Sequence, residues 1–344
     1  MPYQQKINLL DLDSSKLTQK ISELALPVFT TKQIYQWIFQ KHVLDFDLMT
    51  NISQKNRLIL KQHFQINNIK DQKKITDQDN TQKYTLTLED NHKIEMVSLP
   101  EKKYHTLCVS SQCGCPLNCQ YCVTGLTGFQ RDLKRSEILL QLLLALQDNQ
   151  NINHIVFMGM GEPLLNVNQV LNAIKDITNP QKFNFSKRKI TVSTSGIITG
   201  IQTLIQKNIS LNLALSIGHP VAEKRRFIMP VEKNNPLKKI IPLLKEYLKI
   251  HNRKLTLEYT LLKGFNDQET TISELVNIAK FLSAKINLIN LNPHPLIKYQ
   301  PISGPEIIKI KKYIENQRVS VTIRYKKGHK INAGCGQLAT SKDR

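Results

Sequence analysis

Cys115-Pro116-Leu117-Asn118-Cys119-Gln120-Tyr121-Cys122 places three thiols within eight residues, at the spacing C-x3-C-x2-C. Thiolates are soft ligands that suit iron–sulfur clusters and zinc. No fourth cysteine follows at a matching distance. A closed structural zinc site takes four protein ligands. A [4Fe–4S] cluster held by three cysteines keeps one iron free of protein, and an open metal position is where substrate or cofactor binds. The stretch therefore reads as an open-iron cluster loop. The competing reading is zinc, completed by His105, Cys108 or Cys113.

The surrounding composition narrows the setting. A chain of 344 residues with 40% hydrophobic content accommodates one large domain and a small one. The apolar run from Ile138 to Leu146 is too short for a membrane span and is broken by Gln141. Met1 to Lys6 form no apolar signal region, so a soluble cytoplasmic protein is expected. Of six cysteines, Cys108, Cys113, Cys115, Cys119 and Cys122 crowd one segment and Cys335 stands near the end. That distribution fits reduced functional thiols better than a secreted disulfide scaffold. A net charge of +21 attracts polyanions, nucleic acid first among them. Part of that charge also fits a lysine- and asparagine-rich composition on a solvated surface.

Outward from the loop, the chain divides. Residues 1–80 read as a helical domain: Leu17, Ile21 and Leu24 share a helical face, and Ile34, Trp37 and Ile38 share another, with Trp37 as a core anchor. Residues 81–103 alternate as a linking β-hairpin, in which Glu95 taken alone reads as an exposed-face residue. Residues 104–325 alternate short apolar strands with amphipathic helices, which implies parallel strands with helical crossovers. Chemistry in such folds collects beyond the C-terminal strand ends. The cluster loop falls there, as do Met158-Gly159-Met160-Gly161-Glu162-Pro163, Ser193-Thr194-Ser195-Gly196, Ser216-Ile217-Gly218-His219 and Asn290-Leu291-Asn292-Pro293. Residues 326–344 read as a mobile tail around Cys335, whose flanking Lys326, Lys327 and Lys330 favour its thiolate.

The C-x3-C-x2-C loop resembles the cluster motif of radical S-adenosylmethionine (SAM) enzymes. Several motifs together resemble the RlmN/Cfr family of adenine methyltransferases, and its RlmN branch in particular. They are Cys108-Val109-Ser110-Ser111-Gln112, Gly128-Phe129-Gln130-Arg131, Met158 to Asn166, Ser193 to Gly196, Met229-Pro230-Val231, Glu258-Tyr259 and Cys335-Gly336-Gln337-Leu338.

The resemblance implies an open (β/α)6 partial barrel and methylation of adenine C2 in 23S rRNA and tRNA. Cys115, Cys119 and Cys122 would hold the [4Fe–4S] cluster. Gly161, Glu162, Ser193, Ser216, Ile217, Gly218 and Asn292 would contact SAM. Cys335 would carry the methyl group, Glu95 would accept a proton and Cys108 would resolve the protein–RNA link. An electron donor such as a flavodoxin or ferredoxin and a monomeric state are also implied. The family usually has histidine where Gly218 stands, and Lys330 to Gly334 differ from its tail pattern. Cys113 is extra relative to many RlmN-type members and hints at the Cfr branch, which methylates C8. A reading from another class is a non-catalytic, zinc-stabilised RNA-binding protein.

Overall fold

The computed structural model describes residues 6–101, 103–148 and 151–339. The expectation for the first residues of the chain, up to Gln5, and the tail expectation beyond residue 339 lie outside the described residues. The N-terminal region holds β1 (Ile7–Asn8), α1 (Ser14–Glu23), α2 (Thr30–Tyr35), α3 (Gln54–His63) and β2 (Phe64–Gln65). Asp13 starts α1, its side chain accepting from the Lys16 N–H, and Ser53 caps α3 in the same way. A π-turn over Gln36–Gln40 follows α2 and rotates the buried face. Tyr35, Ile38 and Phe39 enter the core as a result. Trp37, read from periodicity as the anchor, lies half-exposed with Lys41 stacked over its ring.

Three antiparallel strands come next: β3 (Ile69–Thr76), β4 (Gln82–Leu88) and β5 (Lys93–Pro100). The expected hairpin is thus a three-stranded meander, and its first strand lies inside the stretch read as helical. β3 is half-buried only at Ile69 and exposed thereafter. Its sequence, Ile69-Lys70-Asp71-Gln72-Lys73-Lys74-Ile75-Thr76, has no apolar alternation to reveal it. A lysine-rich edge of this kind also blocks pairing with another chain.

β6 (His105–Cys108) leads into a lip made by β7 (Gln112–Gly114), α4 (Val123–Leu126) and β8 (Phe129–Asp132). The α/β alternation then runs α5 (Arg135–Gln147), β9 (His154–Phe157), α6 (Val167–Ile177), β10 (Ile190–Thr194), α7 (Ile198–Gln206), β11 (Asn212–Ser216), α8 (Ala222–Ile228) and α9 (Leu237–His251). It closes with β12 (Leu255–Leu261), α10 (Glu269–Leu282), β13 (Lys285–Asn290), α11 (Gly304–Asn316) and β14 (Val321–Arg324).

Among the described residues one sheet has the order β14-β13-β12-β11-β10-β9-β6-β5-β4-β3. From β6 to β14 the neighbours are parallel, while β5 joins β6 antiparallel. Each new parallel strand adds to the same edge, as in a barrel, but neither end strand pairs with the other. The expected open α/β partial barrel is observed, with β14 and the meander as extensions.

The apolar stretch that is too short for a membrane has its explanation here. α5 is buried from Ser136 to Ala145 because the N-terminal region covers it. Asp11 accepts from both the N–H and the hydroxyl of Ser136, at 2.9 and 2.8 Å, and so caps α5 from outside. A cap of this kind contributes about 1 kcal/mol and ties the N-terminal region to the core. Among the described residues no helix is long and apolar enough to cross a membrane.

Candidate active site

The C-terminal ends of the parallel strands surround one cavity. Its wall includes Cys115, Cys119 and Cys122 from the cluster loop and Gly161 and Glu162 after β9. Ser193 on β10, Ser216 at the end of β11, Asn292 after β13 and Cys335 from the tail complete the predicted part of that wall.

The three cluster-loop thiols are free, and burial pushes each of them up: Cys115 to about 12, Cys119 well above the ordinary range, Cys122 upward. The charge of its neighbours raises each further. Three thiols so placed stay ionised only beside a strong compensating positive charge, which is what a metal cluster provides. Among the described residues no three His, Cys, Asp or Glu side chains converge on a position for a single ion. A cluster needs no such convergence, because each cysteine binds a separate iron. None of the proposed fourth zinc ligands lines this cavity. His105 meets the Ser98 hydroxyl at 2.6 Å. Cys113 is fully buried in β7, and Cys108 is buried at the end of β6.

Gly161 has φ +96°, and a Cβ there would stand 2.5 Å from Gln112 Cβ, so only glycine brings this backbone to the cavity wall. Gln112 Oε1 accepts from the Glu162 N–H at 2.8 Å. The Glu162 carboxylate accepts from the N–H groups of Leu164 and Ser195, at 3.1 and 2.8 Å. Burial raises its pKa despite these bonds.

Two predicted contacts sit behind the wall instead. Ile217 is fully buried, its N–H donating to the Glu258 carbonyl. Gly218 has φ +68°, and Met229 Sδ occupies the space a side chain would need, at 2.3 Å from an added Cβ. A histidine at this position would displace Met229. His219, one residue later, is fully buried and turned toward Phe265.

Glu95 is 4% exposed, against the exposed-face reading. β5 is covered on both faces, so simple alternation does not hold. Lys83 pairs with Glu95 at 3.0 Å, and the Thr85 hydroxyl donates to it at 3.2 Å. Its other carboxylate oxygen accepts from the Ala339 N–H at 3.1 Å and so holds the tail.

The tail from residue 326 to 339 is fastened at several points. Asn292 Nδ2 donates to the Cys335 carbonyl at 3.0 Å, and the Val123 N–H donates to the Gly336 carbonyl at 2.7 Å. The Thr124 hydroxyl donates to the Leu338 carbonyl. These bonds set Cys335 in one wall with Cys122, and Cys122 and the buried Cys108 both feel its charge.

Arg324 was not singled out from sequence. It is the last residue of β14, lines the cavity, and is raised in pKa chiefly by Cys335, with Glu258 and Cys108 adding to the effect. The positive charge that acts on Cys335 is thus Arg324, whereas two of the expected lysines are engaged elsewhere. Lys327 pairs with Glu101 and Lys330 donates to Gln78. Glu258 also lines the cavity, accepting from Asn287 Nδ2 at 2.7 Å. The available signal for both was a charged residue on a parallel strand of an α/β fold.

Comparison with known proteins places this arrangement in a class. The Radical SAM superfamily model matches residues 109–276, from the end of β6 through the cluster loop into α10. A radical SAM methyltransferase from Sphaerobacter thermophilus superposes with a TM-score of 0.93 at 29% identity, covering 96% of this chain and 99% of that one. The protein is a radical SAM enzyme, a class whose cofactors are a [4Fe–4S] cluster and SAM.

The remaining matches are narrower. The model for the ribosomal RNA large subunit methyltransferase N-terminal domain matches residues 7–66. The dual-specificity RNA methyltransferase RlmN of Halorhodospira halophila is 37% identical over 336 residues, 96% of this chain and 93% of that protein. An Aquifex aeolicus protein bearing the RlmN name is 36% identical over 336 residues, 95% of each chain. The chain belongs to the RlmN family and is a radical SAM RNA methyltransferase. The zinc-stabilised, non-catalytic reading falls with that assignment.

Proposed function

We propose that this chain methylates C2 of an adenine in 23S rRNA and of an adenine in tRNA, consuming two SAM molecules. The observation that carries the reading is Cys335, distant in sequence, in the wall of the cavity that also holds the cluster-loop thiols, with the buried Cys108 near enough to feel its charge. When bound at Cys115, Cys119 and Cys122, the cluster with SAM supplies the methyl group and an adenosyl radical. Gly161, Glu162, Ser193, Ser216 and Asn292 line the space for SAM.

Cys335 Sγ takes the methyl group and, after hydrogen abstraction from it, bonds through that carbon to adenine C2. Adenine C2 is electron-poor and bears hydrogen, which is why direct methyl transfer does not suffice. Glu95 accepts the proton from that carbon as the adduct gives up its one unpaired electron, for which the cluster held by Cys115, Cys119 and Cys122 would serve as acceptor, and the ring regains its closed shell. Cys108 Sγ then attacks Cys335 Sγ. A disulfide forms, the bond from Cys335 sulfur to the methylene carbon breaks, and its electron pair stays with the product carbon, which is protonated to methyl. Burial holds the Cys108 thiol at about 12, and the Arg324 guanidinium opposes that rise, so Arg324 favours the attacking thiolate.

The reading includes a monomeric enzyme working in the cytoplasm with an electron donor such as a flavodoxin or ferredoxin. The Cys113 hint toward C8 chemistry loses its force. Cys113 is packed in β7 behind the cavity wall, with burial holding its thiol at about 12.

The test is anaerobic. Reconstituted protein is incubated with SAM and the Cys335 peptide weighed, and RNA is then added to the parent and to Cys108→Ala. A methyl on Cys335, a C2-methylated base from the parent and an RNA-linked Cys108→Ala protein are expected. A bare Cys335, or a methyl at C8, overturns the assignment.

A further inference from the structure

Gln120 lies between two cluster-loop cysteines and anchors an aromatic patch. Its Nε2 donates to the Phe227 carbonyl at 2.6 Å, and its Oε1 accepts from the Tyr299 hydroxyl at 3.1 Å. Phe265 sits between those rings, 6.2 Å from Phe227 and 5.7 Å from Tyr299. Phe227 is 61% exposed, and Val221 and Leu296, on the neighbouring loops, are 46% and 47% exposed. Single exposed apolar residues need no explanation, but a contiguous group does. Exposed Lys224, Arg226, Lys263 and Lys298 stand beside these rings in sequence, and none forms an ion pair among the described residues.

We infer that this patch is the docking surface for a small acidic electron-carrier protein. The inference rests on the proposed radical chemistry, which must be started by an electron that the chain does not itself supply. One electron leaves the reduced carrier, a flavin hydroquinone or a reduced iron–sulfur centre, and enters the cluster. The carrier is oxidised by one electron, the cluster is reduced by one, and no atom moves. Gln120 and the backbone of Phe227 give that electron a short hydrogen-bonded route from the surface to the cluster loop.

An apolar centre with a basic rim suits a protein of opposite charge and gives salt-dependent association. RNA is also a polyanion, but none of the patch residues lines either opening that reaches Cys335. The N-terminal region packs on α5, the crossover between β6 and β9. A second opening to Cys335 lies along β13 and β14, beside Tyr104 and Tyr325. The patch instead occupies the loops after β11, β12 and β13.

The test uses cluster-loaded full-length enzyme, Phe227→Ser, and the double variant Lys224→Glu/Arg226→Glu. An acidic flavodoxin and an acidic ferredoxin are titrated in turn by fluorescence or calorimetry. Cluster reduction is followed by absorbance with each reduced carrier and with dithionite. At least one carrier is expected to bind the parent and to weaken with salt. Both variants should bind it about tenfold more weakly and be reduced correspondingly more slowly by it. Reduction by dithionite and RNA affinity should stay unchanged.

Parent-like carrier binding in both variants, no binding of either carrier to the parent, or a selective loss of RNA affinity overturns the assignment. The last result would make the patch an RNA surface. Failure of the methylation reading shows separately, as unmethylated RNA under dithionite with carrier binding intact.

Discussion

Arg225→Met tests whether one buried ion pair holds the mouth of the site together. Arg225 is fully buried, and Glu232, its partner, is 1% exposed. The guanidinium also donates to the Ile217 carbonyl at 2.9 Å and to the Ser195 carbonyl at 2.6 Å, joining the loops after β10 and β11. Ser195 in turn donates its N–H to Glu162. Methionine keeps much of the volume but leaves a buried carboxylate without its cation and two carbonyls without this donor. Breaking a buried pair costs about 3–5 kcal/mol, and each buried group left unpaired adds about 1–3 kcal/mol. The contributions overlap, so the expected loss is about 5 kcal/mol. Guanidinium unfolding of the anaerobic protein measures it. The double variant Arg225→Met/Glu232→Leu removes both charges and should recover part of the loss. It should remain about 3 kcal/mol below the parent, because the Ile217 and Ser195 carbonyls still lack this donor and the Leu237 N–H loses its carboxylate acceptor. A single variant less than about 1 kcal/mol below the parent, or a double variant no better than the single, would refute the reasoning.

Three further outcomes are expected. Gly161→Ala adds about 1–2 kcal/mol of backbone strain and pushes on Gln112, so calorimetry should show SAM affinity about tenfold weaker with iron content retained; parent-like affinity would contradict the role of this backbone. Burial, reinforced by Lys224, lowers the His219 pKa from 6.5 to about 4. The unfolded chain takes its proton first as pH falls, so the stability is present above about 6.5 and about 3 kcal/mol is lost on the way down to about 4; denaturant titrations across that window should be flatter in His219→Gln, and equal slopes would sink the claim. Thr124→Val removes the bond to the Leu338 carbonyl, worth about 1 kcal/mol, so iodoacetamide should alkylate Cys335 about fivefold faster; an unchanged rate would mean the tail is held elsewhere.

The fold was largely legible. Strands with helical crossovers leave an apolar rhythm that survives inspection of one sequence, and the observed order β6 to β14 follows it. β3 escaped because an exposed edge strand buries almost nothing and needs no apolar period. Trp37 was misplaced because a π-turn shifts which residues face inward without altering the composition of the run. The cysteine spacing pointed to the cluster loop, since ligand chemistry constrains residue type and interval together.

Local sequence therefore specified the α/β class, the cluster loop and the glycine-bearing strand ends, all of which arise from short-range periodicity or from contacts within one loop. Tertiary structure decided which of those groups meet. It brought Arg324 beside Cys335 and Cys108. It also buried Glu95 under the tail with Lys83 as its partner, and it closed Gly218 off behind Met229. Charge pairing, burial and cavity access depend on residues far apart in the chain, and a linear pattern carries no distance between them.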